Sequence, residues 1–203
     1  MKDVLYLAWR YLAHHRVKTA VLVASITLIL FVPAALRTIV NRSEEQLTAR
    51  AAATPLLVGM KGSPLELVLS SLYFGQDVPE RMPFGEAARI RDTGLARAIP
   101  LYVRFRAGKD PIVGTTVDYL DFRGLRIAEG RSITRLGDCL LGARVAQQRG
   151  LGPGDTLTSS SETVFDLAGV YPLKMRITGV LAPSDSPDDE AVFVDVKTAW
   201  VIE

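Results

Sequence analysis

The stretch TAVLVASITLILFVPAAL, residues 19–36, contains no charged residue and decides how the rest of the chain is arranged. If it is helical, at about 1.5 Å per residue it crosses most of the hydrocarbon core of a bilayer. Adding residues 38–40, with Arg37 extending toward the headgroups, gives enough apolar length for a tilted span. We therefore predict a transmembrane helix over residues 18–40.

Two other interpretations of this run fit the sequence less well. A cleaved signal peptide has an apolar region of about 7–15 residues behind a short basic start, and the only Ala-x-Ala sequence here, at residues 51–53, lies far beyond the run. The helices of a globular core are usually amphipathic, whereas this run has no polar break. An uncleaved membrane anchor is the interpretation that we adopt.

Small residues line one side of the predicted span. Ala20, Ala24 and Thr27 fall on one helical face, and small side chains allow a second helix to approach closely. We predict that these three residues form a helix-packing face. Pro33, near the far end, removes one helical hydrogen bond that a neighbouring helix or hydroxyl can offset.

The residues before the span form an amphipathic pattern. Apolar residues of segment 3–16 recur at helical spacing, and its aromatic residues Tyr6, Trp9 and Tyr11 suit the headgroup zone. We therefore predict a cytoplasmic interfacial helix over residues 1–17. Four Lys or Arg precede the span and three follow it within about fifteen residues, which places the N-terminus in the cytoplasm and residues 41–203 outside.

The charge distribution separates the membrane end from the rest of the chain. Residues 1–40 hold five Lys or Arg and one acid, which leaves 19 basic and 21 acidic residues in 41–203. The outer part is therefore slightly acidic, which argues against a nucleic-acid partner. Cys139 is the only cysteine, so an intrachain disulfide and a Cys-rich metal site are both excluded.

Patterns beyond the span mix short helices and short strands. Residues 41–53 are polar and helix-favouring, and we predict that they form a stalk helix that continues the span until Thr54-Pro55. We predict a buried strand at 55–59, then a helix capped by Ser63 with Leu65, Leu69, Leu72 and Tyr73 on one face. Further strands and helices follow without strict alternation, so residues 41–203 read as one α+β domain.

No motif in the outer domain points to catalysis or to a cofactor. The sequence GMKGS at 59–63 lacks the spacing of a phosphate-binding loop, and GLGPG at 150–154 follows a helix where a dinucleotide site needs a strand. The acids of 185–190 lack the spacing of a calcium loop, and an ordinary surface turn fits them better. Both histidines, His14 and His15, lie before the span, so the domain has no histidine-based catalytic or zinc site.

The order of several short sequences resembles MacB-like and FtsX-like ABC transporter permeases. These are Trp9-Arg10-Tyr11-Leu12 before a single span, Glu129-Gly130-Arg131, LLGARVAQQRGLGPGDTL at 140–157, and ITGVLAP at 177–183 with AVFVDVKTAW at 191–200. KGSPLELVL at 61–69 is similar to a subgroup of these permeases. Each short sequence alone matches the family pattern only weakly, but their order and spacing together are typical of the family.

The resemblance implies a permease subunit without chemistry of its own. In that family a separate ATPase docks on the cytoplasmic side, and the outer domain, with Porter and Sabre parts, relays ATP-driven motion across a bacterial inner membrane. We expect the ATPase to contact the interfacial helix at Trp9 and Arg10. The permease is expected to be a homodimer or heterodimer, with a possible periplasmic or outer-membrane partner and three further spans after the outer domain.

Two functions from other classes remain open at the level of the sequence. A single-span membrane-anchored adaptor or sensor, acting by protein–protein binding, fits everything except the family pattern. A membrane-tethered hydrolase would need a catalytic constellation that the residues do not show.

Overall fold

The computed structural model describes residues 2–75, 80–160 and 172–202. The chain divides into two compact units, Met1–Pro55 and Leu56–Glu203. The first unit consists of two helices, α1 (Lys2–His14) and α2 (Arg16–Ala52). The second unit is a mixed sheet with short helices, so the predicted combination of one N-terminal apolar helix with an α+β domain is confirmed.

Helix α2 carries the uncharged run. Among the described residues, its segment Arg16–Arg42 is the one stretch of helix long and apolar enough to cross a membrane. The helix includes Pro33 and continues without interruption through the predicted stalk to Ala52. The places where a membrane would begin and end along α2 stay a prediction.

The second unit contains a seven-stranded sheet within the described residues. Its helices are α3 (Pro64–Tyr73), α4 (Gly85–Asp92), α5 (Asp118–Arg123), α6 (Ala143–Arg149) and α7 (Val196–Ile202), with a 3-10 turn at Pro187–Glu190. Its strands are β1 (Tyr102–Ala107), β2 (Asp110–Thr115), β3 (Ile127–Gly130), β4 (Asp138–Leu141), β5 (Thr156–Thr158), β6 (Lys174–Leu181) and β7 (Val192–Asp195).

The strand order is β1-β2-β7-β4-β6-β3, and β5 pairs with β6 beside this path. The pairs β2–β7 and β4–β6 are parallel, and the other pairs are antiparallel. A mixed sheet of this kind is typical of α+β domains rather than of a doubly wound sheet.

Strand β4 lies at the centre of the core and is buried along its whole length. Because successive side chains of a strand point to opposite faces, Cys139 and Leu141 join one apolar cluster and Leu140 joins another. The first cluster includes residues of α6 and α7, and the second includes Tyr119 of α5. Apolar residues therefore cover the sheet on both faces.

A glycine at the end of β4 permits a close backbone approach. Gly142 begins α6, and a Cβ atom added there would lie 2.5 Å from the carbonyl oxygen of Asp189 in the 3-10 turn. Its N–H donates to the carbonyl of Ala191 at 2.9 Å. Helix α6 then ends at Gly150, whose φ of 63° is the left-handed conformation that glycine adopts without strain. The sequence CLLGARVAQQRGLGPGDTLTS at 139–159 predicts a strand, a helix, a turn and a strand, and the structure has this order.

One prediction for residues 55–73 is wrong. Residues 55–59 form no strand, and Leu56 and Val58 are exposed rather than buried. Helix α3 starts as predicted, because the Ser63 side chain accepts a hydrogen bond from the Glu66 N–H. On its predicted apolar face burial increases toward the C-terminal end: Leu65 is 66% exposed, whereas Leu72 is buried, as is Phe74 just after the helix.

The close approach at Gly142 predicts a large effect of a single added methyl group. Gly142→Ala should destabilise the outer domain by about 3 kcal/mol, since backbone atoms of the 3-10 turn have to move. Gly152→Ala is the matched control, because nothing lies within 4 Å of the added Cβ, and its effect should stay within about 0.5 kcal/mol. Urea unfolding followed by Trp200 fluorescence in a Trp9→Phe background measures both. Equal midpoints for the two variants would contradict the packing described here.

Candidate functional site

The predicted ATPase-contacting residues lie on α1. Trp9 is 74% exposed, and Arg10 Nη1 donates a hydrogen bond of 3.1 Å to the Tyr6 hydroxyl one turn earlier. Both side chains are therefore presented on the outside of the helix pair. Their contact with an ATPase stays a prediction.

The junction between α1 and α2 is short and well hydrogen-bonded. His15, the one residue between the two helices, has φ −98° and ψ 51°. The Arg16 Nε donates to the Ala13 carbonyl at 3.2 Å, and the Thr19 hydroxyl donates to the Leu12 carbonyl at 3.0 Å. Side chains at the start of α2 thus satisfy carbonyl groups at the end of α1. We call residues 10–19 the elbow.

The predicted helix-packing face lies on the exposed surface of α2. Ala20, Ala24 and Thr27 are all exposed, and no residue of the apolar run is buried. Two hydroxyls of α2 bond within the helix, Ser25 to the Val21 carbonyl at 2.8 Å and Thr38 to the Ala34 carbonyl at 2.9 Å. Whether a second helix packs on this face stays a prediction.

A small cavity lies where the parallel strands β2 and β7 end. Its volume is about 40 Å³, and Thr116 and Asp195 are among the residues that line it. A water molecule needs about 10–15 Å³ on this scale, so the cavity has room for a few waters and is too small for a nucleotide or a sugar. The Thr116 hydroxyl oxygen is buried and makes no hydrogen bond with the described residues, which a water there would correct.

The acidic turn at 185–190 uses its buried carboxylates as hydrogen-bond acceptors. The Asp189 carboxylate accepts hydrogen bonds from the N–H and hydroxyl of Ser184 and from the Asp185 N–H, at 2.8–3.1 Å. Asp188 accepts from the Tyr119 hydroxyl at 2.8 Å. Asp188 and Asp189 are buried, whereas Asp185 and Glu190 are exposed, so the turn lies at the surface with two of its four acids directed inward. The described residues contain no group of three His, Cys, Asp or Glu that could hold a metal ion.

The carboxylate at the start of β4 is held by an arginine and by backbone groups. Burial acts to raise the pKa of Asp138, but hydrogen bonds from Arg176 and from the N–H groups of Thr134 and Arg135 outweigh it and lower that pKa. The Asp138 Oδ1 lies 2.9 Å from Arg176 Nη2. Burial, with the charge of Asp138, raises the pKa of the neighbouring Cys139 thiol to about 12.

Sequence reasoning did not identify Arg149 as a structural residue. Its Nε donates to the Asp110 carboxylate at 2.6 Å, and its Nη2 donates to the Ala107 carbonyl. These bonds tie the last turn of α6 to the β1–β2 hairpin. The partners of Arg149 lie about forty positions away along the chain, so a local sequence pattern does not predict these bonds.

Residues 19–203 match the MacB-like periplasmic core domain. The chain belongs to this family. The predicted recognition is therefore confirmed, and the MacB-like domain is a part of ABC transporter permeases. No curated protein matches the sequence.

Two solved structures are similar to parts of this MacB-like chain. One is the extracellular domain of the noncanonic ABC-type transporter YknZ from Gram-positive bacteria, with 14% identity over 49% of this chain and 54% of that one and a TM-score of 0.35. The other is a domain of a protein described as a permease from Porphyromonas gingivalis, with 19% identity over 62% and 59% and a TM-score of 0.37. The chain thus spans between half and two thirds of the length of these structures.

The buried position of Cys139 predicts an unreactive thiol. At pH 8 a thiol with a pKa of about 12 is almost entirely protonated, and the side chain is fully buried. We expect no alkylation by N-ethylmaleimide in the folded protein and complete alkylation in urea, measured by intact mass. Leu136→Cys, at a position that is 62% exposed, is the positive control and should gain one adduct in the folded state. Rapid native labelling of Cys139 would contradict this burial.

Proposed function

We propose that residues 1–203 are the N-terminal portion of a permease subunit of an ABC transporter, in which the periplasmic domain relays ATP-driven motion for export or extraction of a substrate. The observation that carries this proposal is the family match, which extends from the apolar run to the end of the domain. The proposal assigns ATP hydrolysis to a separate subunit, because the chain carries no phosphate-binding loop of the required spacing.

The continuity of α2 supports a mechanical role. Twelve residues of the helix follow residue 40, which at 1.5 Å per residue extends about 18 Å past the proposed membrane boundary. No glycine or proline interrupts these residues, so the helix acts as a stiff stalk. A stiff connection transmits a tilt of the span outward, whereas a flexible linker dissipates it.

The outer domain is also suited to move as one body. Its strands belong to one sheet, and long-range bonds tie the surrounding segments to it. Tyr119 joins α5 to the 3-10 turn through Asp188, and Arg149 joins α6 to the β1–β2 hairpin through Asp110. Local motions within such a domain are small, because packed interiors shift between discrete arrangements rather than deforming continuously.

The proposal includes a location and partners. The N-terminus lies in the cytoplasm and residues 41–203 lie on the periplasmic side of the bacterial inner membrane, where a periplasmic or outer-membrane partner can reach them. An ABC ATPase contacts α1 at Trp9 and Arg10. A second permease subunit, identical or homologous, packs on the face formed by Ala20, Ala24 and Thr27.

The proposed topology predicts a one-sided pattern of proteolysis. Protease added to intact spheroplasts should remove a tag from the C-terminus and spare a tag at the N-terminus, because only the outer domain is accessible. Immunoblots for the two tags measure this, and lysed spheroplasts should lose both. Protection of the C-terminal tag with loss of the N-terminal tag would show that the chain has the opposite orientation in the membrane.

The stiff stalk predicts that flexibility uncouples transport from ATP hydrolysis. Several glycines inserted after Glu45 should cost about 1 kcal/mol each in helix propensity and interrupt the helix locally, while the separately packed outer domain stays folded. In the complete transporter, reconstituted with its ATPase, transport per ATP should fall several-fold. Transport and hydrolysis are measured on the same proteoliposomes.

An insertion of the same number of alanines at the same site is the matched control. It changes the length and rotation of the stalk equally but keeps the helix, so the difference between the two variants isolates stiffness. Hydrogen exchange of the stalk confirms that only the glycine variant is locally unfolded. Equal transport per ATP in the two variants would show that the stalk only connects the span to the outer domain and that its stiffness is not needed.

A further inference from the structure

Residues 56–60, LLVGM, have the pattern of a strand but pair with no strand of their own chain within the described residues. The first, third and fifth of them, Leu56, Val58 and Met60, are exposed, and the two between them are half-buried. This period of two indicates an extended backbone. In the described part of the chain, no group forms a hydrogen bond with the backbone N–H or carbonyl groups of these five residues.

One side of this segment packs against its own domain. A Cβ atom added at Gly59 would lie 2.6 Å from the side chain of Leu67, so Gly59 faces helix α3. The exposed side chains are apolar, with Leu56 74%, Val58 50% and Met60 38% exposed. An apolar extended segment with free backbone groups pairs readily with another chain, and native proteins usually cover such a segment.

The size and the position of the segment decide which partner suits it. Five residues make too small a contact to hold a freely diffusing protein, since specific interfaces bury about 1,200 Å² or more. They suit a partner that another contact already keeps close, because this raises its effective concentration. Leu56 follows Ala52, the last residue of α2, by four positions, which is at most about 14 Å of chain. The protein proposed to pack on α2 is a second permease subunit.

We propose that residues 56–60 pair in antiparallel register with the same residues of a second copy of this chain, with Val58 opposite the partner's Val58 and Leu56 opposite the partner's Met60. The proposal rests on the proposed packing of a permease subunit on α2. A two-fold axis makes such a contact self-complementary, and this register places the three exposed side chains of each copy on one shared face. Residues 51–60 carry no charge, so identical copies bring no like charges together here.

Disulfide cross-linking of the full chain in oxidised membranes tests this pairing. Val58→Cys should form a linked dimer, because Cβ atoms directly opposite each other in an antiparallel pair lie about 4.5–5.5 Å apart, close to what a disulfide needs. Leu95→Cys is the matched control, since Leu95 is 90% exposed in the same domain and reports random collisions. The dimer yield, read on non-reducing gels after quenching with N-ethylmaleimide, should be several-fold higher for Val58→Cys. Cys139 is buried and is present in both variants.

Two further variants test the register. Leu56→Cys and Met60→Cys, each expressed alone, should give no more dimer than Leu95→Cys, because each position lies roughly 14 Å from its own counterpart in this register. A disulfide bridges Cα atoms no more than about 7 Å apart. When the two variants are expressed together with different tags, they should form a mixed disulfide, since Leu56 then lies opposite the partner's Met60.

A cysteine in the span separates failure of the pairing from failure of the proposed subunit contact. Ala24→Cys reports a second copy on the proposed packing face of α2. Cross-linking of Ala24→Cys without cross-linking of Val58→Cys would overturn the strand pairing and leave the proposed subunit contact intact. Absence of both cross-links would overturn the pairing together with the proposed packing of an identical subunit.

Two other results would also overturn the proposal. Equal dimer yields from single cysteines at positions 56, 58 and 60 would mean that the segments collide without a fixed register. A disulfide from Val58→Cys to a protein of different mass would assign the segment to another partner.

Discussion

In the proposed membrane span, the backbone of residues 19–36 has to satisfy its hydrogen bonds within its own helix, because hydrocarbon offers no partners. This constraint requires α2, the long helix of the first unit, to be continuous through the apolar run. Ser25 and Thr38 direct their hydroxyls to carbonyls of the same helix, so their polar groups are also satisfied internally. Nothing in the sequence ends the helix before Pro55, and α2 therefore continues to Ala52 and carries its stiffness out of the apolar region.

The outer domain uses its polar side chains to fix segments of backbone. The Asp189 carboxylate orients the start of the acidic turn, and Arg149 holds the β1–β2 hairpin against α6. Asp138 is buried and bonded to Arg176 and to two N–H groups. Tyr119 joins the turn to α5, and Arg149 joins α6 to the sheet, which is the kind of connection that the proposed relay needs.

The sequence predicts local structure where spacing and turn residues agree. Gly142 and Gly150 bracket α6, and the alternation of apolar and polar residues in LKMRITGVLAP, residues 173–183, identifies β6 as a strand. Long-range contacts decide the rest. Leu65 and Leu72 share one face of α3, yet only Leu72 is buried, and this difference along the helix depends on what the rest of the chain packs against it. Trp9 and Arg10 were chosen by resemblance alone, because a contact with another subunit leaves no signal in the chain's own packing.

The two units handle charge in opposite ways. The outer domain pairs its cations internally, as in Arg149 with Asp110 and Arg176 with Asp138, and the carboxylate of each pair is buried. The elbow, in contrast, contains no acidic residue. Raising the salt from 0.1 to 1 M shortens the screening length from about 10 to 3 Å, which weakens exposed interactions far more than buried ones. The two pairs of the outer domain, each with a buried carboxylate, are therefore less sensitive to ionic strength than exposed charges are.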